Sequence, residues 1–117
     1  MRKPKKAIKS ERLSHDNIAD LVEDYWKKNY PRNKIHKYYE YPLGEIDVLM
    51  IEQKGGLLQH HHVCEVKSRD TEAMRRRAYE QLSRYENYVK ELMLPWGVTK
   101  YYARPVKNRV VLEKIKC

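Results

Sequence analysis

Residues 44–52, Gly-Glu-Ile-Asp-Val-Leu-Met-Ile-Glu, are apolar at nearly every position from Ile46 to Ile51, with one carboxylate, Asp47, set among them. A short, almost continuous apolar run suits a strand covered on both faces, so protein must pack above and below its sheet. Gln53-Lys54-Gly55-Gly56 breaks the run, and the glycine pair signals a hairpin. Residues 57–67, Leu-Leu-Gln-His-His-His-Val-Cys-Glu-Val-Lys, then return as the partner strand.

The flanking segments supply the covering layers. In residues 15–29, Ile18, Leu21, Val22, Tyr25 and Trp26 recur at helical spacing as one buried stripe. Ser14 or Asp16 can cap this helix, and Pro31 stops it. Residues 34–42, rich in Tyr and Lys, predict a strand near a sheet edge. Residues 71–94 predict a long helix with Ala78, Leu82, Tyr85, Val89 and Leu92 as its apolar stripe, ended by Pro95 and Gly97. Strands near 98–103 and 109–115 follow, with Lys107-Asn108 at their turn. The order α-β-β-β-α-β-β predicts an α/β domain with one mixed sheet flanked by helices.

At 117 residues the chain has room for one core, taken as residues 13–117 behind a basic arm at 1–12. Charged residues make up 35% and the net charge is +9, an excess that favours a polyanionic partner through counterion release. Lys3, Lys5 and Lys6 of the arm are candidate phosphate contacts, as are Arg69, Arg75 and Arg76 at the start of the long helix, where Arg77 completes a run of three. Two cysteines, Cys64 and Cys117, with no C-x-x-C spacing, exclude a disulfide framework and a cysteine-built metal site, and suit a cytoplasmic setting. No apolar run is long enough for a membrane span.

Glu65 and Lys67 stand two apart on the returning strand, so both side chains leave one face, roughly 7 Å apart. Whether Asp47 joins them depends on the hairpin. A two-residue Gly55-Gly56 turn sets Asp47 opposite Cys64, on the other face. A three- or five-residue loop centred on Gly56, or a bulge, sets it opposite Glu65. Opposed carboxylates repel unless a cation lies between them, and hard oxygen donors with open water positions suit Mg2+ or Mn2+.

Gly44-Glu45-Ile46-Asp47 is G-x-x-D, Glu65-Val66-Lys67 is E-x-K, and Gln81-Leu82-Ser83-Arg84-Tyr85 is Q-x-x-x-Y. In this order and spacing, over roughly residues 15–103, the chain resembles the PD-(D/E)xK nucleases, in particular their RecB-like branch. Archaeal Holliday-junction resolvases share the core and are the second choice. The resemblance implies a restriction-endonuclease-like fold and metal-dependent hydrolysis of DNA phosphodiesters. Asp47, Glu65 and the Val66 carbonyl would hold Mg2+ or Mn2+, and Lys67 would orient or deprotonate the attacking water. Gln81 and Tyr85, on one helical face, would contact substrate, although Tyr85 also belongs to the apolar stripe. Relatives often add an acidic residue from the first helix, for which Glu23 is preferred to Asp20. Some add an upstream histidine, for which His15 is preferred to His36. The four cysteines of an iron–sulfur cluster, found in some RecB-like exonucleases, are absent here, so no such cluster is expected. DNA is the expected partner, and a homodimer the expected assembly for so small a core. A structure-selective endonuclease and a non-catalytic basic DNA-binding module are the alternatives. His60-His61-His62 resembles a metal tract, but only alternate strand residues share a face, and a structural role is the simpler expectation.

Overall fold

The computed structural model describes residues 14–116, so the arm with Lys3, Lys5 and Lys6, together with Cys117, lies outside the described residues. The elements are α1 (His15–Asn29), β1 (Lys34–Tyr41), β2 (Gly44–Gly55), β3 (Leu58–Val66), α2 (Glu72–Glu91), β4 (Trp96–Val106) and β5 (Arg109–Ile115). Ser14 caps α1 by accepting from the Asn17 amide at 3.1 Å, and Thr71 caps α2 by accepting from the Met74 amide at 3.1 Å.

The five strands form one mixed sheet in sequential order. β1, β2 and β3 run as an antiparallel meander, α2 crosses over to bring β4 parallel to β3, and β5 returns antiparallel. Strand alternation sends the sheet's side chains to two separate cores. Val48, Met50, Cys64, Val66 and Ala103 pack under Ile18, Ala19, Val22 and Trp26 of α1. Leu49 and Val63 pack under Leu82, Tyr85 and Val89 of α2. The domain is therefore an α/β sandwich of three layers, and β2 is covered on both faces as its composition requires. Among the described residues no helix is long and apolar enough to cross a membrane.

Two expectations about the helices change. Leu21 and Tyr25 are exposed, so α1 buries a narrower stripe than its pattern offers. They border a groove completed by Tyr30, Tyr101, Arg109, Val110 and Leu112, beside β5 at the edge of the sheet. α2 ends at Glu91, leaving Leu92 as a partly exposed cap, because Met93 takes a left-handed φ of 59° that no helix continues.

The hairpin resolves the question of register. Gly55 pairs with Leu58 around a Gly56-Leu57 turn, and a register shift between Gln53 and Gly55 marks a bulge at Lys54. The extra residue brings Val48 opposite Cys64, so Asp47 is next in line for Glu65. A bulge, rather than an odd-numbered loop, makes the change of parity.

Candidate active site

The site lies where the β2–β3 ladder ends. The last paired residues are Val48 and Cys64. Beyond them the Asp47 carboxylate takes over the role of a ladder acceptor: its Oδ2 accepts the Val66 amide at 2.8 Å. The Glu65 carboxylate faces back, its Oε1 3.4 Å from the Asp47 amide nitrogen. Both carboxylates are buried, with Asp47 6% and Glu65 1% exposed.

A local irregularity turns Asp47 inward. Ile46 packs in the core under α2, whereas Val48, two residues on, packs in the core under α1. In a regular strand they would share a face. β1 changes sides at the matching point: Ile35 packs towards α1 and Tyr41, an even number of residues on, towards α2. Tyr38 sits between the pairs Lys37–Val48 and Tyr39–Ile46, directly across from Asp47, and has a left-handed φ of 55°. That conformation costs an L-residue about 1–2 kcal/mol and persists only where its surroundings hold it. Here the Tyr38 ring stacks on His15, and its hydroxyl donates to Asp16.

His15, in the first turn of α1, places Nε2 3.1 Å from Asp47 Oδ2. Lys67, just past β3, is anchored by its amide donating to the Ala103 carbonyl at 3.0 Å. Its Nζ donates to Gln81 Oε1 of α2 at 3.1 Å. The site thus draws His15 from one covering helix, Gln81 from the other, and Asp47, Glu65 and Lys67 from the gap between them.

The electrostatics of this gap are unfavourable for two anions. Burial, then the adjacent Asp47 charge and a hydrogen bond with its carboxyl group, push Glu65 up to about 9, and Lys67 offsets only part of this. Glu65 therefore keeps its proton at neutral pH unless further positive charge arrives. Oxygen donors short of a cation fit a hard divalent ion, and Asp47, Glu65 and the Val66 carbonyl would be its protein ligands. Among the described residues no three His, Cys, Asp or Glu side chains form a ready-made cage. Mg2+ commonly takes only one or two carboxylates and keeps several waters.

Other expected residues fall elsewhere. Tyr85 is buried and turns its hydroxyl to His61 Nδ1 at 2.7 Å, so its ring and its hydrogen bond both serve the core rather than the gap. Glu23 is held by Lys27 at 3.4 Å and Lys37 at 3.7 Å on the β1 side of α1 and does not join Asp47. His36 lies on the exposed edge strand beside Tyr39. The Arg75 guanidinium is taken up by Asp70 at 3.0 Å and lies over the Tyr102 ring, on the β4 side of α2. Arg69 and Arg76 are exposed. The histidine run divides among separate partners: His60 with Thr99, His61 with Tyr85 and Gln59, His62 with Tyr101 and Glu52.

Sequence reasoning missed two features. The paired irregularity at Tyr38 and Asp47 has no signature in residue type. Arg77 and Arg84 share the helical phase of Gln81, and their spacing in the chain is enough to reveal it.

No family model, curated protein or solved structure matches this chain.

Proposed function

We propose that this protein is a Mg2+- or Mn2+-dependent deoxyribonuclease with a restriction-endonuclease-like core, of the PD-(D/E)xK type and its RecB-like branch. The observation that carries the reading is the buried meeting of Asp47 and Glu65 beside Lys67. Two carboxylates desolvated against each other destabilise the metal-free fold, and a cation-dependent function is a reason to retain them. The Lys67–Gln81 contact supports the RecB-like choice, because it ties the E-x-K strand to the Q-x-x-x-Y helix through side chains of both motifs.

The metal, when bound, would lower the pKa of a coordinated water and offset charge on the phosphate. The chain's own groups do the rest. Asp47 is held by the Val66 amide and His15, so its carboxylate reaches the gap already oriented. Glu65, packed on all sides, has little freedom to swing away. Lys67 keeps its ammonium at the rim, steadied by an uncharged acceptor that leaves its charge available to a phosphate and an incoming water.

The test is incubation with labelled single-stranded, duplex, flap and four-way-junction DNA in Mg2+, Mn2+ or EDTA. Cleavage in Mg2+ or Mn2+ that EDTA stops, and that Asp47→Asn abolishes, is the expected result. Cleavage confined to the four-way junction would move the protein to the structure-selective endonucleases. Binding of DNA with no cleavage under any of these conditions would leave a basic DNA-binding module.

A further inference from the structure

Three arginines open α2 in a row, but the helix sorts them onto different flanks. Leu82, Tyr85 and Val89 face the sheet. Arg75 lies on the β4 flank with Asp70 and Tyr102. Gln81 and Tyr88 mark the opposite flank, Gln81 by its contact with Lys67 and Tyr88 by packing on Tyr41 of β1. Arg77 and Arg84 fall in the same helical stripe as these two, at spacings of four, three and four residues. The stripe Arg77, Gln81, Arg84, Tyr88 therefore runs along the side of α2 that borders the site.

Both arginines are exposed, and among the described residues neither has a carboxylate within ion-pair distance. Among the described residues, Arg75 is the α2 cation taken up by an ion pair, with Asp70, and is not free for a phosphate in the way Arg77 and Arg84 are. Arg84 also has a defined position. Its Nη1 would lie 3.9 Å from a Cβ placed on Gly44, and its charge acts on the Tyr41 hydroxyl, which Glu65 also influences. Gly44 is three residues before Asp47 on β2, about 10 Å along the strand. At about 1.5 Å rise per residue, Arg77 and Arg84 lie roughly 6 Å and 5 Å along the helix axis on either side of Gln81. Gln81 holds the Lys67 ammonium, so the stripe is a row of three donors with the site's own cation at its middle.

The geometry points to a track for one DNA strand along this flank of α2, in which Arg77 and Arg84 hold the phosphates on either side of the one that meets Lys67. The assignment rests on the nuclease reading for the identity of the central phosphate. It goes further in naming the strand's path, and it replaces Arg75, whose guanidinium already serves Asp70 and Tyr102. Guanidinium forks suit phosphate oxygens, and two contacts flanking the reacting one fix the position of the backbone without reading sequence.

The experiment uses a short single strand of defined sequence. In the full-length protein Arg77→Gln, Arg84→Gln and the double variant are compared with Lys54→Gln, a control in the hairpin at the far end of β2, after thermal melts show that all are folded. Binding is measured in Ca2+ across a salt series, and cleavage in Mg2+. Each arginine variant is expected to lower the salt slope by about 0.7 and the double variant by about twice that, with Lys54→Gln changing it less. Cleavage should fall roughly tenfold or more for each arginine variant. Methylphosphonate substitution of single phosphates then locates the contacts. Neutralising the phosphate next to the cut on one side should weaken the wild type but not Arg84→Gln further, and the phosphate on the other side should behave likewise with Arg77→Gln. Loss that is the same in all three single variants, or a neutral phosphate that weakens the arginine variants as much as the wild type, would overturn the track. A wild type that binds but never cuts would remove the nuclease reading, and the binding cycles in Ca2+ would still decide whether Arg77 and Arg84 touch neighbouring phosphates. A wild type that binds no DNA would overturn both.

Discussion

Glu65→Gln should make the metal-free protein more stable at neutral pH. Glu65 ionises near 4.5 in the unfolded chain and near 9 in the folded one, chiefly through burial and secondarily through Asp47. Between these values the folded state holds a proton that the unfolded state has released. The contribution is therefore fully present below pH 4.5 and is lost as pH rises, at up to about 1.4 kcal/mol per pH unit. By pH 7 the accumulated loss is roughly 3 kcal/mol, an upper figure because Asp47 and Glu65 share their titration. Glutamine carries no such penalty, and its oxygen can still accept from the Asp47 amide. The variant should gain about 1–3 kcal/mol at pH 7, or roughly 5–20 °C in Tm for a domain of this size. His61 acts in the opposite sense: burial holds it down to about 4, so its contribution is lost as pH falls below about 6.5. The wild-type profile alone would blend the two, whereas the difference between wild type and Glu65→Gln isolates Glu65. Urea unfolding in EDTA at pH 5, 6, 7 and 8 gives that difference. It should be small at pH 5 and widen steadily towards pH 8. A constant difference, or a variant that is progressively less stable at higher pH, would show that Glu65 is a stabilised carboxylate and that the gap lacks no cation. Saturating Mg2+ should narrow the difference by stabilising the wild type by about 2–3 kcal/mol at a hundredfold excess over Kd, with little effect on the variant.

Other outcomes follow from the same geometry. Asp47→Asn should abolish cleavage while leaving DNA affinity in Ca2+ within a few-fold, and cleavage retained in clean preparations of this variant would remove Asp47 from the chemistry. Gln81→Ala should lower cleavage roughly tenfold by releasing Lys67, with a change in stability of no more than about 1 kcal/mol in urea unfolding, because Gln81 flanks the core rather than filling it. Tyr85→Phe should cost about 1–2 kcal/mol by leaving the buried His61 Nδ1 without its partner, and cleavage per folded molecule should change by less than threefold. A large loss of activity without a loss of stability would return Tyr85 to the substrate.

The fold was legible wherever a periodic pattern met a clear boundary. α1 runs from His15 to Asn29 as its spacing and Pro31 required, and the Lys107-Asn108 turn lies where the strands on either side run out. What could not be read was how much of each apolar stripe finds a partner. Leu21 and Tyr25 continue the pattern of α1 faultlessly, but among the described residues the sheet beneath ends at β5 and leaves them exposed. Periodicity records what a helix can bury. The width of the layer opposite decides what it does bury.

The site shows the same division at finer scale. The Gly56-Leu57 turn alone would set Asp47 opposite Val66, and one extra residue in the hairpin brings it in line with Glu65. That alignment was a matter of counting, and so was open to sequence. The step after it was not. Asp47 reaches the Val66 amide and His15 because β1 and β2 both switch faces at Tyr38 and Asp47, which needs a tyrosine in a left-handed conformation that its residue type disfavours. No local preference of the chain calls for this. The irregularity is held from outside, by the stack of Tyr38 on His15 and the hydroxyl contact with Asp16. The first turn of α1 therefore does two things at once: it keeps the strand in its unusual path, and it supplies the histidine that meets the carboxylate which that path exposes.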